Sequence, residues 1–533
     1  MQSFPINMNI KNTRKIRFVL LMAASLILLL SVTACGGSSG SKAKFTYYLD
    51  STVQSLDPQT ADGESAAMIL NAVFEGLCRV DEDNNPVPGA AKAWFSNPDH
   101  TKYVFLLRDD AKWSNGEPVT AHDFVFAMKR ALDPATMAAN VDDLFVIKNA
   151  REIYSGTMEV SELGITANSD YILTVDLAQS DANFPASTAS IRFMPCNEAF
   201  FISTSGRYGL EDQYLITNGP FAFDYWDTEK SVSLYRSPNW QDKKTPAALT
   251  FYMSLKDEIA ADPAAALASG SADILKLNEA QAAGASALGC GVKSFTAGVT
   301  GLIFNTDEQY LSCSALRELF VKSIDRQALL DNLPTSESPA NDIIPNSILW
   351  GSEPYREYAE KELYVKQDPS AVQNTQAIIN EMKLETIPSV TVMCRNDPLS
   401  LEIANRVIAS WNKAIGSYFN ILPLDDAVYE QKFYARDYQI AICTVKSTGN
   451  TPYSFLKHFE STASPLLLNS KDYDTLLHSV DKTVTDYAGL EKFLHNQYIF
   501  YPVLTEQTYY GISPKVKNLI VEIGRIDFIY AEK

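Results

Sequence analysis

Cys35 is the residue whose surroundings most clearly indicate a chemical reaction. Four cationic residues between positions 11 and 17 precede an apolar stretch at 18–30, and small residues then lead to the cysteine. A basic region, a short apolar core and small residues are the layout of a secretory signal. The apolar stretch is too short to span about 30 Å of hydrocarbon as a helix. We therefore expect residues 1–34 to be a signal peptide that is cleaved.

The sequence Val-Thr-Ala-Cys at 32–35 resembles a bacterial lipobox. In a lipobox the cysteine receives a diacylglyceryl group and becomes the new N-terminus. Glycine and serine fill positions 36–41, and such a composition makes a flexible tether. We expect residues 35–44 to comprise a lipidated Cys35 and its tether, which would hold the chain outside the cytoplasmic membrane of a bacterium. An ordinary signal peptide followed by a coincidental cysteine is the alternative.

Catalytic chemistry is not indicated elsewhere in the sequence. There is no His-Glu-x-x-His, no Gly-x-Ser-x-Gly and no Gly-x-x-x-x-Gly-Lys-Ser/Thr motif. The five histidines are not spaced as metal ligands on a helix. We therefore expect neither an enzyme nor a protein that carries a cofactor or a metal ion.

The composition indicates a large globular protein that does not bind nucleic acid. The chain has 533 residues, of which 46% are hydrophobic, and a formal net charge of −19. A chain this acidic repels a phosphate backbone, and no long basic run offsets the repulsion. The cysteines other than Cys35 are widely separated, so neither a disulfide framework nor a metal cluster is indicated, and pairing among them stays open.

Local signals place a strand and a helix in the first half of the chain. Residues 103–108 have the composition and alternation of a strand. Thr120 and Asp123 form a capping-box pattern, which predicts the start of a helix. We expect this helix to span 123–132, because Asp133 precedes a proline.

The second half of the chain alternates between strand-like and helix-like segments. Such alternation predicts an α/β unit with a largely parallel sheet. The strand-like segments are 301–305, 389–394 and 439–445, and the helix-like segments are 315–330, 401–415 and 452–459.

Nine blocks of the sequence resemble the oligopeptide-binding proteins of ABC importers, the extracellular solute-binding protein family 5. The longest block is residues 107–124, LRDDAKWSNGEPVTAHDF. Because the blocks keep the family's order over nearly the whole mature chain, the chain is identified as a member of this family. The other blocks are 53–58, 74–77, 88–91, 217–221, 236–240, 269–274, 304–306 and 324–326.

The resemblance implies an α/β fold, a two-lobed periplasmic-binding-protein-like clamshell with three domains and mixed sheets flanked by helices. Lobe I would combine a discontinuous core domain with a smaller inserted domain. Crossings of the chain near residues 300 and 505 would act as the hinge on which the lobes close. The implied ranges are 45–74, 196–300 and 506–533 for the core domain of lobe I, 75–195 for the inserted domain, and 301–505 for lobe II.

In this family the peptide lies extended between the lobes, and an aspartate of lobe II pairs with its α-ammonium group. Thr448 stands at the position of that aspartate, and Val445 at that of a neighbouring tryptophan. Lys446 would repel an amine, and with Arg395 on another matching stretch it would favour an anionic or N-blocked ligand. The alternative is that Lys446 faces solvent, since the side chains of a strand alternate. The predicted contacts are Arg395, Cys443, Thr444, Val445, Lys446, Ser447 and Thr448.

Lobe I offers a second matching segment, Asp62-Gly63-Glu64, which in the family meets the peptide backbone. Gly63 would allow the ligand backbone to approach closely. Either carboxylate, Asp62 or Glu64, could receive an amine that lacks its aspartate partner at position 448.

These features predict a lipid-anchored, monomeric substrate-binding protein that captures oligopeptides, or a related extended solute, and delivers them to the membrane permease of an ABC importer. A receptor that signals or binds a partner protein is one alternative, which the altered segment 442–448 leaves open. A receptor for nickel or another metal complex is a second alternative, because relatives in the family include such proteins.

Overall fold

The computed structural model describes residues 41–533 apart from short segments and single positions. The predicted signal peptide, Cys35 and Thr448 lie outside the described residues, so their roles stay predictions. The residues outside the description are 1–40, 82–84, 139–140, 179, 241, 243, 334, 336, 351–352, 362, 365–374, 384, 387, 417–418, 448–450, 462, 464–466, 478–482 and 523–524.

Helices and strands alternate along the described chain, and short 3₁₀ turns such as Asp142–Val146 and Lys457–Phe459 join several of them. The strands are β1 (Lys44–Tyr48), β2 (Cys78–Val80), β3 (Pro86–Pro88), β4 (Ala91–Ser96), β5 (Lys102–Leu107), β6 (Ile165–Ser169), β7 (Ile172–Asp176), β8 (Phe221–Asp227), β9 (Ser231–Arg236), β10 (Ala248–Tyr252), β11 (Ile274–Leu277), β12 (Gly291–Phe304), β13 (Ser338–Pro339), β14 (Leu349–Trp350), β15 (Glu353–Pro354), β16 (Val390–Arg395), β17 (Phe419–Leu424), β18 (Ile440–Lys446), β19 (Phe500–Ile512), β20 (Ile520–Glu522) and β21 (Arg525–Asp527). The helices are α1 (Glu64–Val73), α2 (Ala121–Leu132), α3 (Ala150–Tyr154), α4 (Phe184–Ser187), α5 (Glu198–Ser203), α6 (Asp257–Ala261), α7 (Pro263–Ser269), α8 (Glu279–Ala287), α9 (Ser314–Lys322), α10 (Arg326–Leu330), α11 (Thr375–Glu381), α12 (Pro398–Ala414), α13 (Asp426–Tyr434), α14 (Pro452–Leu456), α15 (Lys471–Leu477) and α16 (Val484–Asn496).

Two four-stranded sheets form the N-terminal half of the molecule. In the order β1-β10-β9-β8, β1 is parallel to β10 and the other pairs are antiparallel, whereas β4-β5-β7-β6 is antiparallel throughout. Both sheets contribute to one hydrophobic core, hereafter the first core, in which Phe45, Phe105 and Trp113 are almost fully buried. The strand predicted at 103–108 is confirmed as β5.

Helix α2 begins at Ala121, two residues before the expected start at 123, and Thr120 caps it as the capping-box pattern predicts. Thr120 is its N-cap, and the Asp123 carboxylate accepts hydrogen bonds from the Thr120 amide (2.7 Å) and the Trp113 indole (3.4 Å). Burial raises the pKa of Asp123, and these hydrogen bonds oppose the rise. The helix ends at Leu132, immediately before Asp133, because the proline that follows disfavours helical backbone there.

A seven-stranded sheet forms the C-terminal half, in the order β11-β19-β12-β18-β16-β17 with β13 beside β19. Strand β16 is parallel to β17 and β18, but β12 is antiparallel to β18 and β19, and β11 is antiparallel to β19. The expectation of a largely parallel sheet is therefore wrong, and the sheet is mixed. The reason is the pairing of β12 with β19, two long strands that lie far apart in the sequence and run in opposite directions.

The two long strands β12 and β19 connect the first core to a second core. The second core contains Phe304 of β12 and Phe500 of β19, packed against the helices of the C-terminal half. At their other ends the same strands reach the first core through Phe295 and Tyr510. A small third core lies among β11, α7 and α8. The chain thus passes between the two main cores in β12 and β19, while the domain boundaries themselves stay a prediction.

The helix expected at 315–330 is instead two helices, α9 and α10. Asp325 separates them, because its carboxylate caps α10 by accepting a hydrogen bond from the Ala328 amide (3.1 Å). The buried guanidinium of Arg326 then donates to the Pro502 carbonyl oxygen at 3.0 Å. The interruption between α9 and α10 results from the Asp325 cap and from the contact of Arg326 with β19. The spacing of apolar residues does not predict either contact.

The remaining expected elements differ from the structure mainly in their bounds. The strand expected at 301–305 is the end of the much longer β12. The helix expected at 452–459 is α14 followed by the 3₁₀ turn at Lys457–Phe459. The segments 389–394, 401–415 and 439–445 correspond to β16, α12 and β18.

A buried ion pair fastens the segment before α1 to helix α2. The Arg130 guanidinium donates to Asp57 Oδ2 at 2.7 Å and to Oδ1 at 2.5 Å, and both side chains are only 8% exposed. The Phe201 ring lies 4.5 Å from the guanidinium carbon. This pair positions the start of the candidate segment 62–64, which follows a few residues later.

Candidate ligand-binding site

The strands β18, β12 and β19 lie side by side where the chain passes between the two main cores. Gly298 of β12 pairs with Lys446 of β18 on one side and with Glu506 of β19 on the other. A Cβ atom at position 298 would lie 2.8 Å from Thr444 Cγ2 and 3.1 Å from the Val445 carbonyl oxygen, so the close packing here requires glycine. Lys446 and Glu506 thus flank Gly298 from the two neighbouring strands.

The predicted contacts on β18 fall on both faces of the strand. Cys443 and Val445 are 8% and 2% exposed and pack in the second core, where burial raises the pKa of the Cys443 thiol. Thr444 and Lys446 lie on the opposite face, as strand alternation requires. The Thr444 and Thr300 hydroxyls are hydrogen-bonded at 2.8 Å. Burial favours a packing role for Cys443 and Val445, whereas Thr444 and Lys446 point away from the core.

Lys446 is 70% exposed, in agreement with the alternative that its side chain faces solvent. Its Nζ atom is 3.9 Å from Glu506 Oε1, and a pair so long and exposed contributes little to stability. Glu506 is 34% exposed and brings a carboxylate to a place where the sequence indicated only a cation. The charge of Lys446 is therefore offset locally and does not by itself exclude an amine.

Glu337 is a second carboxyl group near Glu506. Burial and the charge of Glu506 raise the pKa of Glu337 to about 7. Among the residues that the structure describes, none donates a hydrogen bond to the buried Glu337 Oε2 atom. The neighbouring strand β13 pairs with Thr505 and Leu504 of β19. Near neutral pH the Glu337 carboxyl group is therefore partly protonated.

Hydroxyl groups connect Ser447, the residue after β18, to helix α14. The Ser447 hydroxyl is hydrogen-bonded to the Ser454 hydroxyl at 2.8 Å, and Ser454 also donates to the Thr451 carbonyl oxygen at 2.6 Å. These bonds tie the end of β18 to the first turn of α14. Thr448, between them in sequence, lies outside the described residues.

The charge of Arg395, at the end of β16, is matched by acids of helix α13. Its guanidinium donates to Asp426 at 2.8 Å and to Glu430, and it lies 4.5 Å from the centre of the Tyr429 ring. Burial lowers the pKa of Arg395, but the hydrogen bonds to Asp426 and Glu430 outweigh this effect and raise it. Two carboxylates beside one guanidinium leave little attraction for an anionic ligand.

The segment 62–64 leads into α1, of which Glu64 is the first residue. Gly63 is the N-cap residue with a φ of 87°, which favours glycine. Glu64 accepts hydrogen bonds from the Tyr510 hydroxyl (3.2 Å) and the Lys276 ammonium group (3.3 Å), so its carboxylate is already engaged by a cation. Asp62 is exposed and accepts a hydrogen bond from the Gly63 amide at 2.8 Å.

The structure brings Asp62 close to helix α13, which packs in the second core. Burial, Glu430 and Asp62 together raise the pKa of Tyr434, the last residue of that helix. Asp62 and Arg395 thus lie near the same helix, although they are far apart in the sequence. Glu506, Glu337 and Tyr434 were not predicted, because distant contacts place them. The one available signal was a charged residue, Glu506, next to the apolar run at 499–504.

The described part of the chain shows no metal centre. Within it, no group of three or more His, Cys, Asp or Glu side chains is arranged to hold a metal ion. The cysteines at 78, 196, 290, 313, 394 and 443 are free thiols, which answers the pairing question that the sequence left open. None of the helices in the described ranges is long and apolar enough to cross a membrane.

Two cores joined by two long antiparallel strands, with polar side chains gathered at the crossing, define a two-lobed α/β clamshell. Solved structures confirm the predicted fold class. A sequence profile described as bacterial extracellular solute-binding proteins, family 5 Middle, matches residues 85–465. The chain belongs to this family, which consists of extracellular binding proteins rather than enzymes.

Two curated relatives and one solved structure illustrate the similarity. The chain is 28% identical to the oligopeptide-binding protein OppA of Bacillus subtilis over 461 residues. That alignment covers 81% of this chain and 82% of OppA. It is 26% identical over 495 residues to the periplasmic murein peptide-binding protein MppA of Escherichia coli, with 90% of each chain covered. A complex of Haemophilus influenzae OppA with the peptide RPPGFSPFR has a TM-score of 0.74 at 22% identity, covering 92% of this chain and 99% of that one. This last similarity is one of fold.

Proposed function

We propose that this protein is the substrate-binding component of an ABC importer, and that it captures oligopeptides between its lobes and delivers them to the membrane permease. Family membership supports the proposal, and the relatives described above are named for binding oligopeptides or murein peptides. The observation that carries it is the crossing of β12 and β19 between the two cores, where Thr444, Lys446 and Glu506 are gathered.

The distribution of the cores supports the division into two lobes given by the resemblance. The first core draws on residues between 45 and 274 and between 510 and 531, whereas the second draws on residues between 299 and 504. From the resemblance we retain 45–74, 196–300 and 506–533 as the core domain of lobe I. The inserted domain would be 75–195, and 301–505 would be lobe II.

The ammonium group of a peptide needs a carboxylate, and Thr448 cannot supply one. Glu506 fits this role because it is one-third exposed and its contact with Lys446 is long. Glu64 fits less well, since Lys276 and Tyr510 already donate to it. Asp62 is exposed and is the second candidate. This arrangement favours a free amine over the anionic or N-blocked ligand that Lys446 alone would favour.

A lipid on Cys35 would hold the receptor beside its permease. The signal-like residues 1–34 and the Gly/Ser run that follows Cys35 support such an anchor. Tethering two partners to one membrane raises their effective concentration without any new contact between them. A net charge of −19 does not promote adsorption to an anionic bilayer, so the lipid would supply the attachment.

A peptide library with free amino ends, and the same library after N-acetylation, tests the proposed ligand class. Ligand-free protein is incubated with each library, separated from unbound peptide by gel filtration, and analysed by mass spectrometry. We expect retention of peptides with free amino ends and strong depletion of acetylated ones. Retention of no peptide from either library would contradict peptide binding, whereas equal retention of both would contradict the role of Glu506.

A further inference from the structure

We infer that two ion pairs between the lobes form a latch that favours the closed arrangement even before a ligand binds. These core-bridging pairs are Arg151 with Glu460 and Lys457 with Asp143. The inference depends on the clamshell fold and not on the identity of the ligand. It can therefore fail while the proposed function stands.

Each core-bridging pair joins an element of the first core to an element of the second. Asp143 and Arg151 lie in a 3₁₀ turn and in α3, both of which pack in the first core. Lys457 and Glu460 directly follow α14, which packs in the second core. Lys457 Nζ is 3.2 Å from Asp143 Oδ1, and the Ser190 hydroxyl donates to Asp143 Oδ2 at 2.7 Å. These contacts are separate in sequence from the crossing strands.

The members of the pairs on the second-core side are buried in this arrangement. Glu460 and Lys457 are 4% and 10% exposed, whereas Arg151 and Asp143 are 30% and 36% exposed. Rotation of the lobes about β12 and β19 would separate the pairs and expose their charges more to water. The state of these charges therefore differs between the closed and open arrangements, as a latch requires.

The pattern of charge also selects one way of docking the lobes. The first-core side presents an anion, Asp143, and a cation, Arg151, and the second-core side presents the cation Lys457 and the anion Glu460. A shift that placed Arg151 against Lys457 would bring like charges together. Such reciprocal pairing favours a single register on closure.

Electrostatics and desolvation oppose each other, so the bias toward closure is modest. Burial raises the pKa of Asp143. The nearby charges of Lys457 and Arg192 and the hydrogen bonds from Ser190 and Lys457 lower it by more than burial raises it, so the pKa of Asp143 lies below its usual value. Attraction between partly buried charges is reduced by the cost of removing them from water. Salt screens pairs that reach solvent. A modest bias that salt weakens allows the lobes to open again and release a ligand.

Single-molecule fluorescence transfer between the lobes tests the latch in ligand-free protein. Dyes are attached to cysteines introduced by Met137→Cys and Lys361→Cys, at positions that are 86% and 56% exposed. Cys313→Ser removes the one partly exposed thiol among the described cysteines. Ligand is removed by dialysis from urea, and refolding is checked by circular dichroism.

Arg151→Gln is the principal variant, because its partly exposed side chain tolerates replacement better than buried Glu460. We expect about a tenfold rise in the ratio of open to closed molecules, which corresponds to loss of one partly buried ion pair. In the labelled parent protein, raising NaCl from about 20 mM to about 500 mM is expected to raise the ratio of open to closed molecules. The same change in salt is expected to raise this ratio less in Arg151→Gln. Adding Glu460→Gln to Arg151→Gln is expected to open the lobes little further, since the pair is already broken.

Lys322→Gln is the matched control, because Lys322 pairs with Glu318 at 2.6 Å within helix α9 and does not bridge the cores. We expect its ratio of open to closed molecules to match that of the parent protein. An unchanged ratio in Arg151→Gln, or an equal rise in Lys322→Gln, would overturn the latch. Because Arg151→Gln retains the peptide site, the library experiment is expected to give the same result for it as for the parent.

Discussion

Glu506 and Lys446 flank Gly298 on the two neighbouring strands, and we propose that their opposite charges decide which end of a ligand this region accepts. Lys446 is long, exposed and free to move its ammonium group into solvent, whereas the shorter Glu506 side chain stays near the strand. Thr444 and Thr300 add hydroxyl groups on β18 and β12. The junction is therefore polar but carries no fixed excess of positive charge.

Glu506→Gln is expected to weaken the binding of peptides with free amino ends at least tenfold, because a charge-assisted hydrogen bond becomes a neutral one. The affinity for an N-acetylated peptide should stay within about twofold. Isothermal titration with a peptide recovered from the free-amine library provides the measurement. Lys446→Gln is the matched control on the facing strand, and it should change the affinity less than Glu506→Gln. Equal loss for free and acetylated peptides would contradict the pairing.

Glu337 is expected to make the protein less stable as the pH rises. Its folded-state pKa of about 7 lies above the ordinary value of 4.5. The folded protein therefore binds more protons than the unfolded chain between these values, and stability falls as pH increases through that window. Glu337→Gln should raise the free energy of unfolding by about 1 kcal/mol at pH 8 and by much less near pH 4. The value at pH 8 is smaller than the full pKa shift implies, because the Glu337 side chain is partly exposed to solvent. Urea denaturation at both pH values checks this, and a larger gain near pH 4 would contradict it.

At the scale of elements, helix α2 is stabilised at both ends, at its start by residues close together in the sequence and at its end by a residue from a distant segment. Its start depends on Thr120 and Asp123, which are neighbours in sequence. Its last turn depends on Arg130, which reaches Asp57 far upstream. Together these contacts fix α2 against the segment that leads to α1.

Arg130→Met is expected to lower the free energy of unfolding by about 3–5 kcal/mol, because it leaves the Asp57 carboxylate buried without its partner. Lys102→Met is the control, since its pair with Asp176 is 50% and 41% exposed and should contribute less than about 1 kcal/mol. Guanidinium denaturation monitored by circular dichroism measures both. Similar losses in the two variants would contradict the structural role of the buried pair.

Elements set by nearby residues could be predicted from the sequence, and those set by distant pairing could not. The capping box of α2 and the strand β18 are encoded within a few residues, and alternation along β18 places Lys446 on the face opposite Cys443 and Val445. The mixed sheet depends on β12 pairing with β19, about 200 residues away. The neutralisation of Arg395 depends likewise on Asp426 and Glu430, which belong to another element.

At the scale of the whole molecule, two cores joined by two strands make a body that can open without unfolding. The first and second cores have separate sets of buried side chains, so rotation about β12 and β19 disturbs neither interior. The core-bridging pairs add a polar contact between elements other than those strands. We propose that closing depends on a small free-energy difference that a ligand can shift.

Cys35→Ser is expected to release the protein from the membrane while leaving its affinity for peptide in solution unchanged. The reason is that the anchor acts through location, and residues 36–41 separate it from the folded chain by a flexible tether. Fractionation of cells followed by immunoblotting measures the release, and titration of the soluble protein measures affinity. Continued membrane retention would contradict lipidation of Cys35, and loss of soluble affinity would show that the anchor is structural.

Native mass spectrometry of the protein purified without denaturation tests peptide capture most directly. Buffer exchange under gentle conditions keeps a ligand enclosed between the lobes, and collisional release then gives its mass and fragment sequence. We predict one bound ligand per chain, a peptide or a set of peptides with free amino ends. A bound metal complex, or a ligand without peptide bonds, would contradict the proposal that this protein is a peptide receptor.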